Sequence, residues 1–227
     1  AFDTVETSMG KREHILGGSS TYFGIAASLF SKVSLIGVVG NDFTEKEWAL
    51  FKEYNIDTSS IKVADGETFS WGGVYNDDFS ERKTLFTNLG VFENFSPSIN
   101  KEDLSTPFVF LGNIHPELQM NVINQMNGDS LIITDTMNLW IDISLNSLWN
   151  VIAKTNILLL NDEEAEQLTG ESNLKIAGDI LLNKGPKAVI IKKGAKGSMI
   201  CGDINIDNIP VYPGIDVFDS TGAGDSF

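Results

Sequence analysis

The sequence predicts an α/β fold, with a mostly parallel central sheet flanked by helices and a small antiparallel sheet beside it. Three observations predict it. From residue 107 onward, short apolar runs alternate with amphipathic stretches, the repeat expected of β-α-β units. Between residues 67 and 95 the chain turns rich in Thr, Phe, Trp, Gly and Asn, as in paired strands. The 227 residues, 42% apolar and 21% charged, suit a single globular domain over 1–227.

Composition bounds the function. A net charge of −15 argues against nucleic acid, whose phosphates need a basic face. It does not exclude a nucleotide, because a local nest of backbone N–H groups can act against the global field. Cys201 is the only cysteine, so no internal disulfide can form; a reducing, cytoplasmic setting is expected, with Cys201 as a buried small apolar residue. No apolar run approaches the roughly 18 residues of a membrane span. No basic-then-apolar leader opens the chain, and it is expected to need no membrane. His14 and His115 are too scattered for a metal site.

The elements follow in order. Residues 1–5 resemble the end of a strand, with Asp3 on it, and residues 6–16 alternate weakly as further strands. Gly17-Gly18-Ser19-Ser20-Thr21-Tyr22 then precedes an Ala-rich buried helix over 23–30. Small residues before a helix suit the close approach of a ligand, and equally a plain Gly-Gly turn capped by Ser. Residues 33–39 form a buried strand, and Gly40-Asn41-Asp42 punctuates it, with Asp42 as a helix cap. In the helix over 43–54, Phe43, Leu50 and Tyr54 share a face. Residues 68–75 and 82–87 pair as antiparallel strands across a polar turn at Asp77-Asp78, with Phe69, Trp71 and Phe86 packing on the sheet.

Strands are then expected at 108–111, 131–134, 157–160 and 188–191, and helices at 116–127, 145–153, 163–168 and 174–182. In such sheets ligands bind outside the carboxyl ends of the strands. The polar residues there are Asn113, Asp135, Asn161 with Glu164, and Lys193 with Gly194 and Gly197. By themselves Asn161 and Glu164 suit a helix cap with an acidic first turn.

The chain closes on Asp219-Ser220-Thr221-Gly222-Ala223-Gly224-Asp225-Ser226-Phe227. Gly222, Ala223 and Gly224 allow a tight turn, and the next residues suit the first turn of a helix, whose N–H groups favour an anion. Asp225 beside them would be placed to take a proton from a hydroxyl. The same tetrapeptide is also a common turn-and-cap sequence.

This stretch resembles the signature of the ribokinase-like (PfkB) carbohydrate kinases, D-[ST]-T-G-A-G-D-x-F, at all its fixed positions. Other segments are similar to that family in the same order: Gly17-Gly18 to Tyr22 to its G-G-x-x-x-N motif, Asn161 to Glu164 to its N-x-x-E motif, and the Gly194 to Gly197 turn to its V-x-x-G-x-x-G hairpin. Tyr22 stands where that family has Asn. The segment from Asp135 lacks the Arg of D-x-N-x-R-x-x-x-W.

The resemblance implies a ribokinase-like fold whose small sheet, within about 3–18 and 65–90, is a lid. It implies ATP-dependent transfer of the γ-phosphoryl group to a hydroxyl of a sugar or nucleoside. Asp225 would be the catalytic base, with Gly222, Ala223 and Gly224 as the anion hole. Asp3, Gly17, Gly18, Ser19, Tyr22, Asn113 and Asp135 would face the acceptor. Asn161, Glu164, Lys193, Gly194 and Gly197 would serve the nucleotide, with Glu164 acting indirectly on Mg²⁺. A monovalent cation is an open addition, and lid sheets could pair in a homodimer. The chain is expected to be a fragment trimmed at both ends, and so poorly active alone. Two rival expectations are a non-catalytic sugar- or nucleotide-binding relative and a dinucleotide-dependent oxidoreductase. The latter would need an early G-x-G-x-x-G, which is missing.

Overall fold

The protein is described from a computed structural model, which covers residues 1–8, 10–76, 82–214, 217 and 221–227. Asp77, Asp78, Asp219 and Ser220 of the expected turn and signature lie outside the described residues. The chain divides into two compact units, Ala1–Ser98 with Val217–Phe227, and Ile99–Asp216.

The first unit contains β1 (Phe2–Thr7), β2 (Gly10–Leu16), α1 (Ser19–Ser28), β3 (Ser34–Val39), α2 (Glu45–Glu53), β4 (Asp57–Val63), β5 (Ser70–Tyr75) and β6 (Arg82–Asn88). Both hairpin stretches expected from sequence share one four-stranded sheet, ordered β2-β1-β5-β6. The sheet is mixed rather than wholly antiparallel, because β1 joins β5 in parallel. β3 and β4 form a separate parallel pair. Phe2, Leu35, Val39, Phe43, Phe51 and Ile56 bury a core between these strands and helices.

Helix α2 begins at Thr44, not Asp42. The Glu47 carboxylate accepts Thr44 N–H at 2.8 Å and Thr44 Oγ1–H at 2.6 Å, a capping box. Asp42 instead accepts Thr68 N–H at 2.8 Å and Thr68 Oγ1–H at 2.6 Å, tying the loop after β3 to the entry of β5.

The second unit contains β7 (Phe108–Leu111), α3 (Pro116–Gln125), β8 (Leu131–Asp135), α4 (Asn138–Ile143), α5 (Leu145–Ile152), β9 (Ile157–Asn161), α6 (Asp162–Thr169), α7 (Leu174–Leu182), β10 (Ala188–Lys192), β11 (Ser198–Gly202) and β12 (Ile206–Ile209). They form a six-stranded sheet, ordered β12-β11-β10-β9-β8-β7. β7 to β10 run parallel, as the alternating pattern predicts, and β11 and β12 add antiparallel at one edge. Leu158, Leu160, Val189, Ile191, Leu148, Ile152 and Leu181 are fully buried, a core of order tens of kcal/mol in gross apolar transfer. Cys201 belongs to that core, and burial pushes its thiol up.

Candidate active site

In the first unit, the segment Gly17-Gly18-Ser19-Ser20-Thr21-Tyr22 leads from β2 into α1. Thr21 Oγ1–H donates to Gly17 O at 2.9 Å and fixes the entry turn. Asp3, on β1, is 7% exposed. Its carboxylate lies against Gly17: a Cβ built on Gly17 would stand 1.9 Å from Asp3 Oδ2. The double glycine therefore leaves space that the carboxylate occupies.

Two residues on, Ser19 Oγ–H donates to Asp225 Oδ1 at 2.5 Å. One turn further along α1, the ring of Tyr22 covers Gly222. A Cβ on Gly222 would stand 2.5 Å from three atoms of that ring, and Gly222 has φ 76°, a backbone few side chains adopt. Thus Asp3 lies against Gly17, and Asp225 and Gly222 lie against Ser19 and Tyr22 of the same short segment. The stretch from Gly222 closes as a turn, not as a described helix: Ser226 N–H and Oγ–H both donate to Gly222 O at 2.9 Å. Ala223 and Gly224 are exposed on it.

In the second unit, Asp135, Asn161 and Lys192 are the last residues of β8, β9 and β10, at the carboxyl edge of the parallel strands. Register places Lys192 beside Asn161 and Asp135 beside Leu159. Lys192 Nζ lies 3.0 Å from Asp135 Oδ1, with the side chains only 15% and 6% exposed. Asn161 and Glu164 form a capping box: Asn161 N–H donates to Glu164 Oε2 at 2.9 Å, and Glu164 N–H to Asn161 Oδ1 at 2.8 Å. Glu164 is 4% exposed. Burial pushes its carboxyl up to about 7, opposed by the Asn161 N–H; Asp135 nearby adds to the rise and Lys192 opposes it.

The other predicted positions are accounted for as follows. Asn113 Oδ1 accepts Trp140 Nε1–H at 2.8 Å, and Trp140 packs edge-on against His115. Gly194 and Gly197 bracket a 3-10 turn between β10 and β11, where Lys193 N–H donates to Gly197 O at 2.7 Å. The Lys193 ammonium donates to Asn208 Oδ1 at 2.8 Å and Asp207 O at 3.2 Å. Gln119 carries no signal in the sequence, and Lys192 stands there only as one of the lysines flanking the Gly194-to-Gly197 turn. Gln119 is 1% exposed and donates to Gly112 O at 2.9 Å and Asp135 O at 3.1 Å, stitching the ends of β7 and β8. A signal for Lys192 existed, since it is a cation ending an apolar strand.

Among the described residues no group of three or more His, Cys, Asp or Glu could hold a metal by itself. Mg²⁺ does not need one, because it keeps waters and takes oxygens from phosphates. A buried carboxyl such as Glu164 fits that role.

Residues 9–227 match the family described as pfkB family carbohydrate kinase. The chain belongs to this family. As a member, it is a phosphotransferase whose acceptor is an alcohol group, and its fold is ribokinase-like. It is 27% identical over 233 residues to a cytidine kinase of Thermococcus kodakarensis, covering 100% of this chain and 82% of that protein. The solved nucleoside kinase of Methanocaldococcus jannaschii, an archaeal member of the ribokinase family, superposes with a TM-score of 0.77 at 25% identity, covering 99% of this chain and 78% of that one. The ribokinase of Arabidopsis thaliana, solved with ribose and ATP, shares the fold with a TM-score of 0.76 at 18% identity, covering 99% of this chain and 80% of that one.

Proposed function

We propose that this kinase transfers the γ-phosphoryl group of ATP to a ribose hydroxyl of a nucleoside. The observation that carries this reading is the placement of two carboxylates, Asp3 and Asp225, on the Gly17-to-Tyr22 segment. Asp3 binds acceptor hydroxyls, which a buried carboxylate does as a pure hydrogen-bond acceptor. Asp225 takes the proton from the attacking hydroxyl, whose oxygen bonds to the γ-phosphorus as ADP leaves. The amides of Gly222, Ala223, Gly224 and Asp225 stabilise charge on the transferred group. The names of the archaeal relatives support a nucleoside over a free sugar.

Asn161, Glu164 and the Gly194-to-Gly197 turn serve the nucleotide. Mg²⁺, when bound with ATP, neutralises charge on the phosphate oxygens. Glu164, held by the Asn161 capping box, would act on it indirectly. The lid is the sheet β2-β1-β5-β6, which excludes water from the acceptor.

The test is ADP release with cytidine, uridine, adenosine, guanosine, inosine, ribose and fructose as acceptors. Turnover with one or more nucleosides is expected. The variant Asp225→Asn is expected to lose about 100-fold or more in turnover, with ATP binding by calorimetry unchanged. Activity on free sugars alone would overturn the nucleoside assignment, and near-normal turnover of Asp225→Asn would remove the base.

A further inference from the structure

Ser19 sits in the stretch expected to face the acceptor, yet its hydroxyl is directed elsewhere. It is the first residue of α1, and its Oγ–H ends on Asp225 Oδ1, 206 positions away in sequence. The Ser19 hydroxyl and the Asp225 carboxylate lie 2.5 Å apart, within hydrogen-bond reach. Gly18, the residue before the helix, has φ 86°, and the helix start has no side-chain cap. Tyr22 lies three residues on, on the same face of α1, and its ring backs Gly222. Gly222 O in turn anchors Ser226 from both its N–H and its Oγ–H. Asp225 is thus held from the helix by one hydrogen bond, within a turn braced at both ends.

We infer that Ser19 is a positioning residue for the base: it holds one oxygen of Asp225 so that the other is presented to the acceptor hydroxyl. The inference rests on the reading of Asp225 as base given above. Its physical content is orientation. A carboxylate on a two-torsion side chain samples many directions unless one oxygen is tied down. Loss of near-attack geometry reduces the rate of the chemical step and leaves ground-state binding in place. Tyr22 acts with it by fixing the height of the turn above α1.

The experiment compares Ser19→Ala, Ser19→Thr and the parent protein in two ways. Kinetics use the nucleoside with the highest turnover in the panel above. Hydrogen exchange of residues 221–227, in the free protein, needs no acceptor. Ser19→Ala is expected to lower kcat by about 10-fold or more with acceptor KM within about twofold, and to speed exchange in 221–227. Ser19→Thr, which keeps the hydroxyl, is expected to restore both. A rise in acceptor KM with kcat unchanged would instead make Ser19 a substrate contact and overturn the inference. So would exchange and kcat both unchanged in Ser19→Ala. In the Asp225→Asn background, Ser19→Ala is expected to cost little further. If Asp225→Asn alone turns over normally, the base reading fails, while faster exchange in Ser19→Ala still establishes the tether.

Discussion

Gly17 has no room for a side chain, because the carboxylate of Asp3 occupies the space its Cβ would fill. This is a backbone-to-side-chain contact between the end of the first hairpin and its first strand, in register with the pairing of Phe2 with Leu16 and Asp3 with Ile15. Gly17→Ala must therefore displace Asp3. The expected outcome is a rise of about 10-fold or more in acceptor KM, by analogy with the loss of one charged hydrogen bond. The accompanying loss of stability is about 1–3 kcal/mol, the usual cost of overpacking. Steady-state kinetics and thermal unfolding check both. An unchanged KM would separate Asp3 from the acceptor.

The ion pair of Lys192 with Asp135 is buried on both sides. Removing one member leaves the other charge without compensation in a poor solvent, which costs about 3–5 kcal/mol. Lys192→Met is expected to destabilise the protein by about that amount in urea unfolding. The double variant Lys192→Met with Asp135→Asn is expected to recover much of the loss. A single variant within about 0.5 kcal/mol of the parent would mean the pair is relaxed by water.

Glu164 gives a pH dependence whose sign follows from burial. Its carboxyl is raised from 4.5 to about 7, so the folded protein holds a proton that the unfolded chain releases at lower pH. Its contribution is fully present below about pH 4.5, and is lost as pH rises to about 7. The size is about 3 kcal/mol at most. Glu164→Gln keeps an acceptor for Asn161 N–H and removes the titration. The variant is expected to be more stable than the parent at pH 8, with the difference vanishing near pH 4. Chemical unfolding across that range measures it. Parallel curves for the two proteins would show that Glu164 is already ionised when buried.

Much of the second unit was legible because the apolar side chains of its strands and helices imprint themselves on sequence. β7 and α7 carry apolar runs at the bounds where those elements form, and the bounds of β8, β9 and β10 extend each run by its final polar residue. Three of the elements without an expectation lack that imprint. β4, with the sequence DTSSIKV, is largely exposed and has no buried alternation to read. β12 is exposed along its whole length at a sheet edge. α4 is six residues long, too short for a helical period to show. Asp42 was expected to cap a helix because its type favours caps, but Thr44 had the Glu three residues later that completes the box.

The candidate site was legible as a set of residues and not as a set of partnerships. Small-residue turns and polar strand ends are local patterns, so Gly17, Asp135, Asn161 and Glu164 could be named from spacing. The partner of Ser19 could not, because no local pattern reports a contact between residues 206 positions apart. Sequence pointed to Lys193 and could not report its partner: the Lys193 ammonium meets Asn208, while Lys192 turns to Asp135.

The first unit is written in two separate stretches of polypeptide, with the whole second unit between them. A protease that cuts once near residue 98 would not release the units as two independent pieces. The fragment bearing the six-stranded sheet would keep Asp225 covalently, while Ser19 and Asp3 would go with the other. Any attempt to express the units separately has to excise the second and join the two stretches of the first, or it parts Asp225 from Ser19.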